Sequence, residues 1–335
     1  MRIIVDAMGG DDAPNVVVSG VISALEQSRE PLEILLIGNE NDISDELKMT
    51  GFSSPNLSVY HTEEVVTASD LPSQVHKRKP NSSLVKGINL LKLGEGDALV
   101  SAGSTGAILS TALFELGRIE GVKRPALGVL IPIENRYVMV CDVGANIDVK
   151  PEYMIQFAIM SSEFLKRIYN VNNPKVALLN IGQEPNKGHQ LYKDTYNLFN
   201  DHLENFAGNI EARYILDGEV DVVICDGFTG NNLVKFAEGW IIHITEEVEE
   251  KLNDHNIPVE YRNTLKSIFM NIVREFEYEE YGGVPLLGVN GVCFVCHGSS
   301  TSRAIKNAIF SAKKSVEENL VGKIKEGITS SLSLV

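Results

Sequence analysis

Two segments of the chain carry the same sequence of chemical types. Asp97 to Leu109 reads DALVSAGSTGAIL, and Asp221 to Leu233 reads DVVICDGFTGNNL. Each has an acidic start, a short apolar run and then Gly-X-Thr-Gly: Gly103, Ser104, Thr105 and Gly106 in the first, Gly227, Phe228, Thr229 and Gly230 in the second, with Asn231 following. Small residues leave backbone N–H groups uncovered. A helix that starts there aims its unpaired N–H groups and its positive dipole end at whatever lies above the turn. Phosphate is the natural occupant, with the Ser104 and Thr105 hydroxyls as further donors. Two such turns facing each other across a cleft would hold inorganic phosphate on one side and a second phosphate-bearing group or a developing oxyanion on the other. The alternative is a pair of tight turns that merely cap two helices.

Other polar residues sit at the ends of apolar runs. Asp6, Asp11 and Asp12 surround AMGG near the start, and Asp142, Asn146 and Asp148 flank VGAN. Such carboxylates bind magnesium in some sites and are ordinary N-caps or turn residues in others, and no spacing here demands a metal. His297 precedes the small polar run that contains Ser299 and Ser300, where it suits an acid or electrophile, or else a structural strand end. Cys293 and Cys296 form a CxxC, but no second ligand pair accompanies them, and the surrounding GVNGVCFVCHG reads as a buried strand. The chain lacks a Gly-X-Ser-X-Gly elbow and a Walker-type Gly-Lys-Ser/Thr, and its first turn does not satisfy the dinucleotide fingerprint.

The elements that position these residues alternate. Apolar, β-rich runs begin at Arg2, Leu32, Asn56, Asp97, Arg136, Pro174, Asp221 and Gly291, and end in Gly or Asp. Helical spacing fills Val16 to Glu26, Asn81 to Leu93, Glu152 to Tyr169 and His189 to Phe206. Continuous apolar strands between helices predict an α/β fold, with a mostly parallel sheet covered on both faces and ligands at the carboxyl ends of its strands. Residues 1–335 are read as one α/β/α catalytic unit. From Asn232 to Glu280 two helical patterns follow each other, and NDHNIP reads as the turn between them. A projecting helical hairpin, 232–280, is expected. Its stripes, Leu233, Phe236, Trp240, Ile244 and Val248, then Tyr261, Leu265, Ile268, Ile272 and Phe276, would face a dimer partner, the protein's own body or a membrane surface.

The 335 residues, 44% of them apolar, allow a large core. The N-terminus turns acidic and Gly-rich after four residues, unlike a signal peptide, and four cysteines beside apolar runs suit reduced thiols, so a cytoplasmic enzyme is expected. A net charge of −15 argues against nucleic-acid binding. An acidic partner would need a local basic patch, and HKRKP, His76 to Pro80, is the densest.

VDAMGGDDAP, SAGSTGA, DVGAN, DGFTGN, YGGVPLLGVNGV and HGSS, in this order, resemble the acyl-ACP:phosphate acyltransferases (PlsX type) of bacterial phospholipid synthesis, from the first residue to about residue 320. The sequence departs from the pattern at Asp12, at Ser104, where many members carry Asn, and at Val295, where Lys is frequent. The resemblance implies transfer of a long-chain acyl group from acyl carrier protein to inorganic phosphate, without a cofactor or metal. The acyl phosphate would supply a glycerol-3-phosphate acyltransferase. It also implies a homodimeric three-layer α/β/α fold like that of phosphotransacetylases and isocitrate dehydrogenase, with peripheral membrane association. Phosphate is then expected at Gly103, Ser104, Thr105 and Gly106, with Gly227, Thr229, Gly230 and Asn231 facing it. His297, Asn146 and Asp11 are the expected catalytic residues, Ser299 and Ser300 nearby donors, and Lys77, Arg78 and Lys79 the carrier-protein docking patch. Competing expectations are an acyl-CoA-dependent phosphotransacetylase, a non-catalytic scaffold binding carrier protein and membrane, and an isocitrate dehydrogenase-like oxidoreductase.

Overall fold

The structure is a computed structural model that describes residues 1–133, 136–253, 258–276 and 282–332. Eleven strands among these residues form one sheet: β1 (Arg2–Asp6), β2 (Glu33–Gly38), β3 (Leu57–His61), β4 (Ala98–Ser101), β5 (Ala126–Ile133), β6 (Arg136–Cys141), β7 (Val176–Leu179), β8 (Phe206–Ile210), β9 (Val222–Ile224), β10 (Val284–Leu287) and β11 (Val292–Val295). Their order is β3-β2-β1-β4-β11-β10-β5-β6-β9-β7-β8. The eight runs read as strands from sequence are all strands. Three more, β5, β8 and β10, complete the sheet.

The sheet is mostly parallel, but its direction reverses. β3, β2, β1, β4 and β11 run one way. β10 is antiparallel to β11 and to β5, and β5 is antiparallel to β6. β9, β7 and β8 then continue parallel to β6. The sheet is therefore two parallel blocks of opposite direction, joined through the β10–β5 pair. Strands that leave from opposite blocks deliver their carboxyl ends in opposite senses along the strand axis.

Both faces are covered, which is why the strands read as unbroken apolar runs. Ile3, Val5, Ile34, Leu36 and Val100 point into one cluster, and Ile4, Leu35, Ile37 and Leu99 into the cluster on the other side. The first face receives α1 (Asn15–Gln27), α6 (Pro151–Ile168), α7 (Gln190–His202), α10 (Ser302–Glu317) and α11 (Leu320–Leu332), with Phe157, Phe164 and Phe199 fully buried. α2 (Glu40–Thr50) lies beside α1 and β3, capped by the Asn39 side chain at its start and by Gly51 in the left-handed conformation at its end. The second face receives α3 (Val75–Arg78), α4 (Ser83–Lys92) and α5 (Thr105–Glu115).

α8 (Gly227–Leu252) and α9 (Val259–Phe276) pack on each other as the expected hairpin. α8 begins five residues before the predicted start, because the glycine turn is its first turn. Residues 254–257 of the predicted turn and 277–280 of the predicted end lie outside the described residues. Leu233 packs against the cluster around Val138, Val140 and Val223, whereas Phe236, Trp240, Tyr261, Leu265, Ile268 and Ile272 are exposed, so these residues do not pack on the body of the same chain. Among the described residues no helix is long and apolar enough to cross a membrane.

Candidate active site

The first glycine turn follows β4 and is built into the ends of β1 and β11. Asp6, the last residue of β1, is buried, and its carboxylate accepts the Ser101 hydroxyl at 2.7 Å and the Met8 N–H at 3.2 Å. Burial raises its pKa above the usual carboxylate range, and hydrogen bonds from Ser83, Ser101 and the Met8 and Gly9 backbone oppose the rise. Ser101 in turn accepts the Gly103 N–H at 3.1 Å. The AMGG loop therefore lies directly on the turn. A Cβ on Gly9 would come within 2.6 Å of the Gly103 nitrogen, so this approach requires glycine.

β11 brings His297 to the same place. Val295 pairs with Ser101, and the Cys296 N–H donates to the Ser101 carbonyl at 2.9 Å. The backbone N–H of Asp11 donates to the Gly298 carbonyl at 2.8 Å, and its carboxylate lies over Gly298. His297 is exposed, with Nδ1 2.8 Å from the Ser299 hydroxyl, and the Ser300 N–H donates to the His297 carbonyl. The structure thus gathers Asp11, Gly103 to Gly106, His297, Ser299 and Ser300. Ser101 and Gly9 complete the set. Sequence reasoning missed both because one lies inside an apolar strand and the other in a glycine pair without an obvious ligand.

α5 starts at this turn with nothing of its own filling it. Ser104 is the N-cap residue, no side chain caps the helix, and no acidic residue occupies its first turn. Ser104 and Thr105 are exposed. The free N–H groups and positive end of α5 face outward, an arrangement that an anion would complete.

The second turn differs. α8 starts two positions earlier relative to the repeat, at Gly227, because Asp226 is its N-cap. The Asp226 carboxylate accepts the Thr229 N–H at 2.8 Å, the Thr229 hydroxyl at 2.7 Å and the Tyr192 hydroxyl at 2.6 Å. Burial pushes its pKa up, but the bonds from Tyr192 and Thr229 outweigh burial and hold it below the usual value. A negative side chain already fills this helix terminus. The Ala102 that stands at the equivalent place in the first turn has nothing to fill it with.

The VGAN loop is fastened to this second turn. Asp142 is fully buried and accepts from the backbone N–H groups of Leu127, Ala145 and Asn146 and from the Asn146 amide. Burial raises its pKa against those bonds. The Asn146 amide also donates to the Pro125 carbonyl at 2.7 Å, so both of its hydrogens are used within the fold. The Gly227 N–H donates to the Asn146 carbonyl at 2.8 Å. A Cβ on Gly230 would meet the Asp142 carbonyl oxygen at 2.0 Å, which makes glycine obligatory there. Asn146 is thereby a brace, and Asn231 is the exposed polar side chain of this group.

The two turns consequently belong to two hydrogen-bonded groups. They end strands of opposite direction, and among the described residues no hydrogen bond joins Gly103–Gly106 to Gly227–Gly230. Repetition of Gly-X-Thr-Gly did not reveal this, since sheet direction is set by strands far apart in sequence.

The basic run also divides. Lys79 is paired with Asp70 at 2.6 Å and donates to the Val65 carbonyl at 2.7 Å, and this contact holds the Asp70 carboxyl at about 2. Lys79 therefore serves the loop rather than a free docking patch, while Lys77 and Arg78 remain exposed. The four cysteines are buried thiols, and burial pushes Cys293 and Cys296 up to about 12, which keeps them protonated on a buried strand end.

Comparison with known proteins bears out the family resemblance of the sequence. The family described as fatty acid synthesis protein matches residues 1–323. A phosphate acyltransferase of Halothermothrix orenii is 42% identical over 330 residues, covering 98% of this chain and 98% of that protein. One from Dictyoglomus turgidum is also 42% identical, with the same coverage of both chains. Among solved structures, a phosphotransacetylase from Streptococcus pyogenes superposes with a TM-score of 0.61 at 19% identity, covering 95% of this chain and 94% of that one. The EutD phosphotransacetylase from Staphylococcus aureus gives 0.59 at 15%, with 94% of each covered. At these identities the structures share the α/β fold. The near full-length match to a family and to relatives at this identity places the chain in the phosphate acyltransferase family of fatty acid synthesis proteins.

Proposed function

We propose that the protein transfers a long-chain acyl group from the thioester of acyl carrier protein to inorganic phosphate, giving an acyl phosphate and the free carrier thiol. The single observation that carries this reading is the uncapped, acid-free start of α5, set beside His297 by the pairing of β4 with β11. Phosphate is held by the N–H groups of the Gly103–Gly106 turn and by Ser104 and Thr105. A phosphate oxygen attacks the thioester carbonyl carbon, the carbonyl oxygen takes up the charge, and collapse breaks the C–S bond. Phosphate is already a nucleophile at neutral pH and thiolate a fair leaving group, so the work is positioning and oxyanion stabilisation.

His297 polarises the carbonyl oxygen or protonates the departing sulfur, its ring set by Ser299. Asp11 positions the His297–Ser300 turn through Gly298. The second turn, with Gly227, Thr229 and Gly230, supports the VGAN loop and Asn146 and leaves Asn231 exposed. The exposed stripes of α8 and α9 supply the homodimer and peripheral membrane contacts of a cytoplasmic enzyme whose product goes to a glycerol-3-phosphate acyltransferase.

The fold shared with phosphotransacetylases favours a second reading, in which acyl-CoA is the donor. Release of free carrier thiol from long-chain acyl carrier protein, with and without phosphate, tests the first. Phosphate-dependent release with formation of acyl phosphate is expected. Turnover of acyl-CoA alone would establish the second reading, and release without phosphate would make the protein a thioesterase.

A further inference from the structure

The segment that follows β3 runs alongside α5, the helix that begins at the open turn. The Ser110 hydroxyl donates to the Pro72 carbonyl at 2.6 Å, and Pro72 lies so near Gly106 that a Cβ there would stand 3.2 Å from its ring. One turn further along α5, the ring of Phe114 stacks on that of His76, with centroids 4.2 Å apart and planes inclined by 20°. The stack covers one side of Phe114 only. Phe114 remains 59% exposed, and Leu71, next to Pro72, is 57% exposed. His76 is followed on α3 by Lys77 and Arg78, which are exposed and have no acidic partner among the described residues.

We propose, on the reading that the acyl donor is a carrier protein, that α3 and this flank of α5 form one docking surface for it, with Phe114 and Leu71 as apolar anchors and Lys77 and Arg78 as the charges. Apolar anchors beside unpaired cations are what an interface for an acidic partner requires. Charge complementarity selects that occupant over a second copy of this chain. A twofold contact centred here would set Lys77 and Arg78 against their own equivalents. Continuity with the phosphate turn adds a reason of distance. Phe114 is nine residues from Thr105 on one helix, a rise of about 14 Å. A carrier seated at Phe114 would present its thioester arm toward the turn where phosphate is held.

The test is binding of unacylated acyl carrier protein, followed by fluorescence anisotropy, together with acyl-transfer kinetics, on wild type, Phe114→Ser, Leu71→Ser and Lys77→Glu/Arg78→Glu. Phe114→Ser and Leu71→Ser should each weaken carrier binding and raise the KM for acyl carrier protein about tenfold, with kcat and the KM for phosphate retained. The charge reversal should weaken binding further and flatten its dependence on salt. Circular dichroism melts identify any variant that fails to fold, and Leu71→Ser, in a loop, keeps the test open if Phe114→Ser does. Wild-type carrier affinity in folded variants overturns the proposal. So does a shift in oligomeric state on sedimentation, or a loss confined to binding of phosphatidylglycerol vesicles, either of which would assign the surface to another occupant. If the variants lose carrier binding while wild type shows no phosphate-dependent transfer, the docking surface stands and the reading of the reaction falls.

Discussion

Gly9 and Gly103 approach so closely that a methyl group on Gly9 would stand 2.6 Å from the Gly103 nitrogen, with the Asp6 carboxylate and the Ser101 hydroxyl at 2.9 and 3.0 Å. Two loops distant in sequence thus share one layer of backbone, and the position of the first glycine turn depends on the loop after β1. Gly9→Ala should displace Gly103 and lower kcat/KM for phosphate at least tenfold, with a smaller change in Tm. Kinetics and melting of the same preparation separate the two. An unchanged KM for phosphate would show that Gly103 does not form part of the anion site.

The same motif occurs twice with different tasks, so the same substitution should have different effects. Thr105→Ala removes an exposed hydroxyl from an uncapped helix start, and it should raise the KM for phosphate severalfold without altering Tm. Thr229→Ala removes a partner of Asp226, and it should cost about 1 kcal/mol in stability, as loss of a capping contact does. Its effect on KM should be small. Denaturant unfolding and phosphate titration of both variants would show this exchange of roles.

His297 and Ser299 act as a pair through the 2.8 Å contact of Nδ1 with the hydroxyl. His297→Ala should lower kcat by about two to three orders of magnitude, the usual size of an acid or oxyanion contribution. Ser299→Ala should lower it less, because the ring loses the hydroxyl contact but keeps the Ser299 backbone N–H that donates to Nδ1 at 3.3 Å. A wild-type rate for His297→Ala would return the residue to a structural role.

The Asp70–Lys79 pair gives the loop along α5 a defined pH response. The folded-state pKa of Asp70, about 2, lies below its ordinary value of 3.8, chiefly through the hydrogen bond from Lys79. A depressed carboxylate contributes stability above its unfolded pKa and loses it as pH falls through the folded one. The difference in stability between wild type and Asp70→Asn should therefore be constant above about pH 5 and shrink between pH 4 and pH 2. A stability difference that persists at pH 2 would place its origin outside this carboxylate.

Much of the fold was legible because strands buried on both faces leave continuous apolar runs, as in EILLIG and VALL. The missing strands broke that rule. β5 contains Gly128 and Pro132, β8 contains Gly208 with a positive φ, and β10 is four residues long with Pro285 inside it. Each is held by its neighbours rather than by its own composition. The first turn and its His297 partner were legible as glycine punctuation at strand ends. That the second turn is closed by its own Asp226 could have been read from Asp-X-X-Thr as a helix cap, but the Tyr192 hydroxyl that completes it comes from another helix. The Asp70–Lys79 pair left no trace in a run that reads simply as basic, and the reversal of the sheet is a property of pairings between remote strands.

The seam between the two parallel blocks is narrow. Among the described residues, β10 and β5 are matched at Leu286 with Leu127 and at Leu287 with Ala126, and there the ladder between them ends. Leu127 also gives its N–H to Asp142, the carboxylate that fastens the second turn, while β10 borders β11, which carries His297. The first glycine turn and the groups around Asp142 thus belong to two blocks whose ladders meet at these four residues, while one apolar cluster beneath the sheet packs against both.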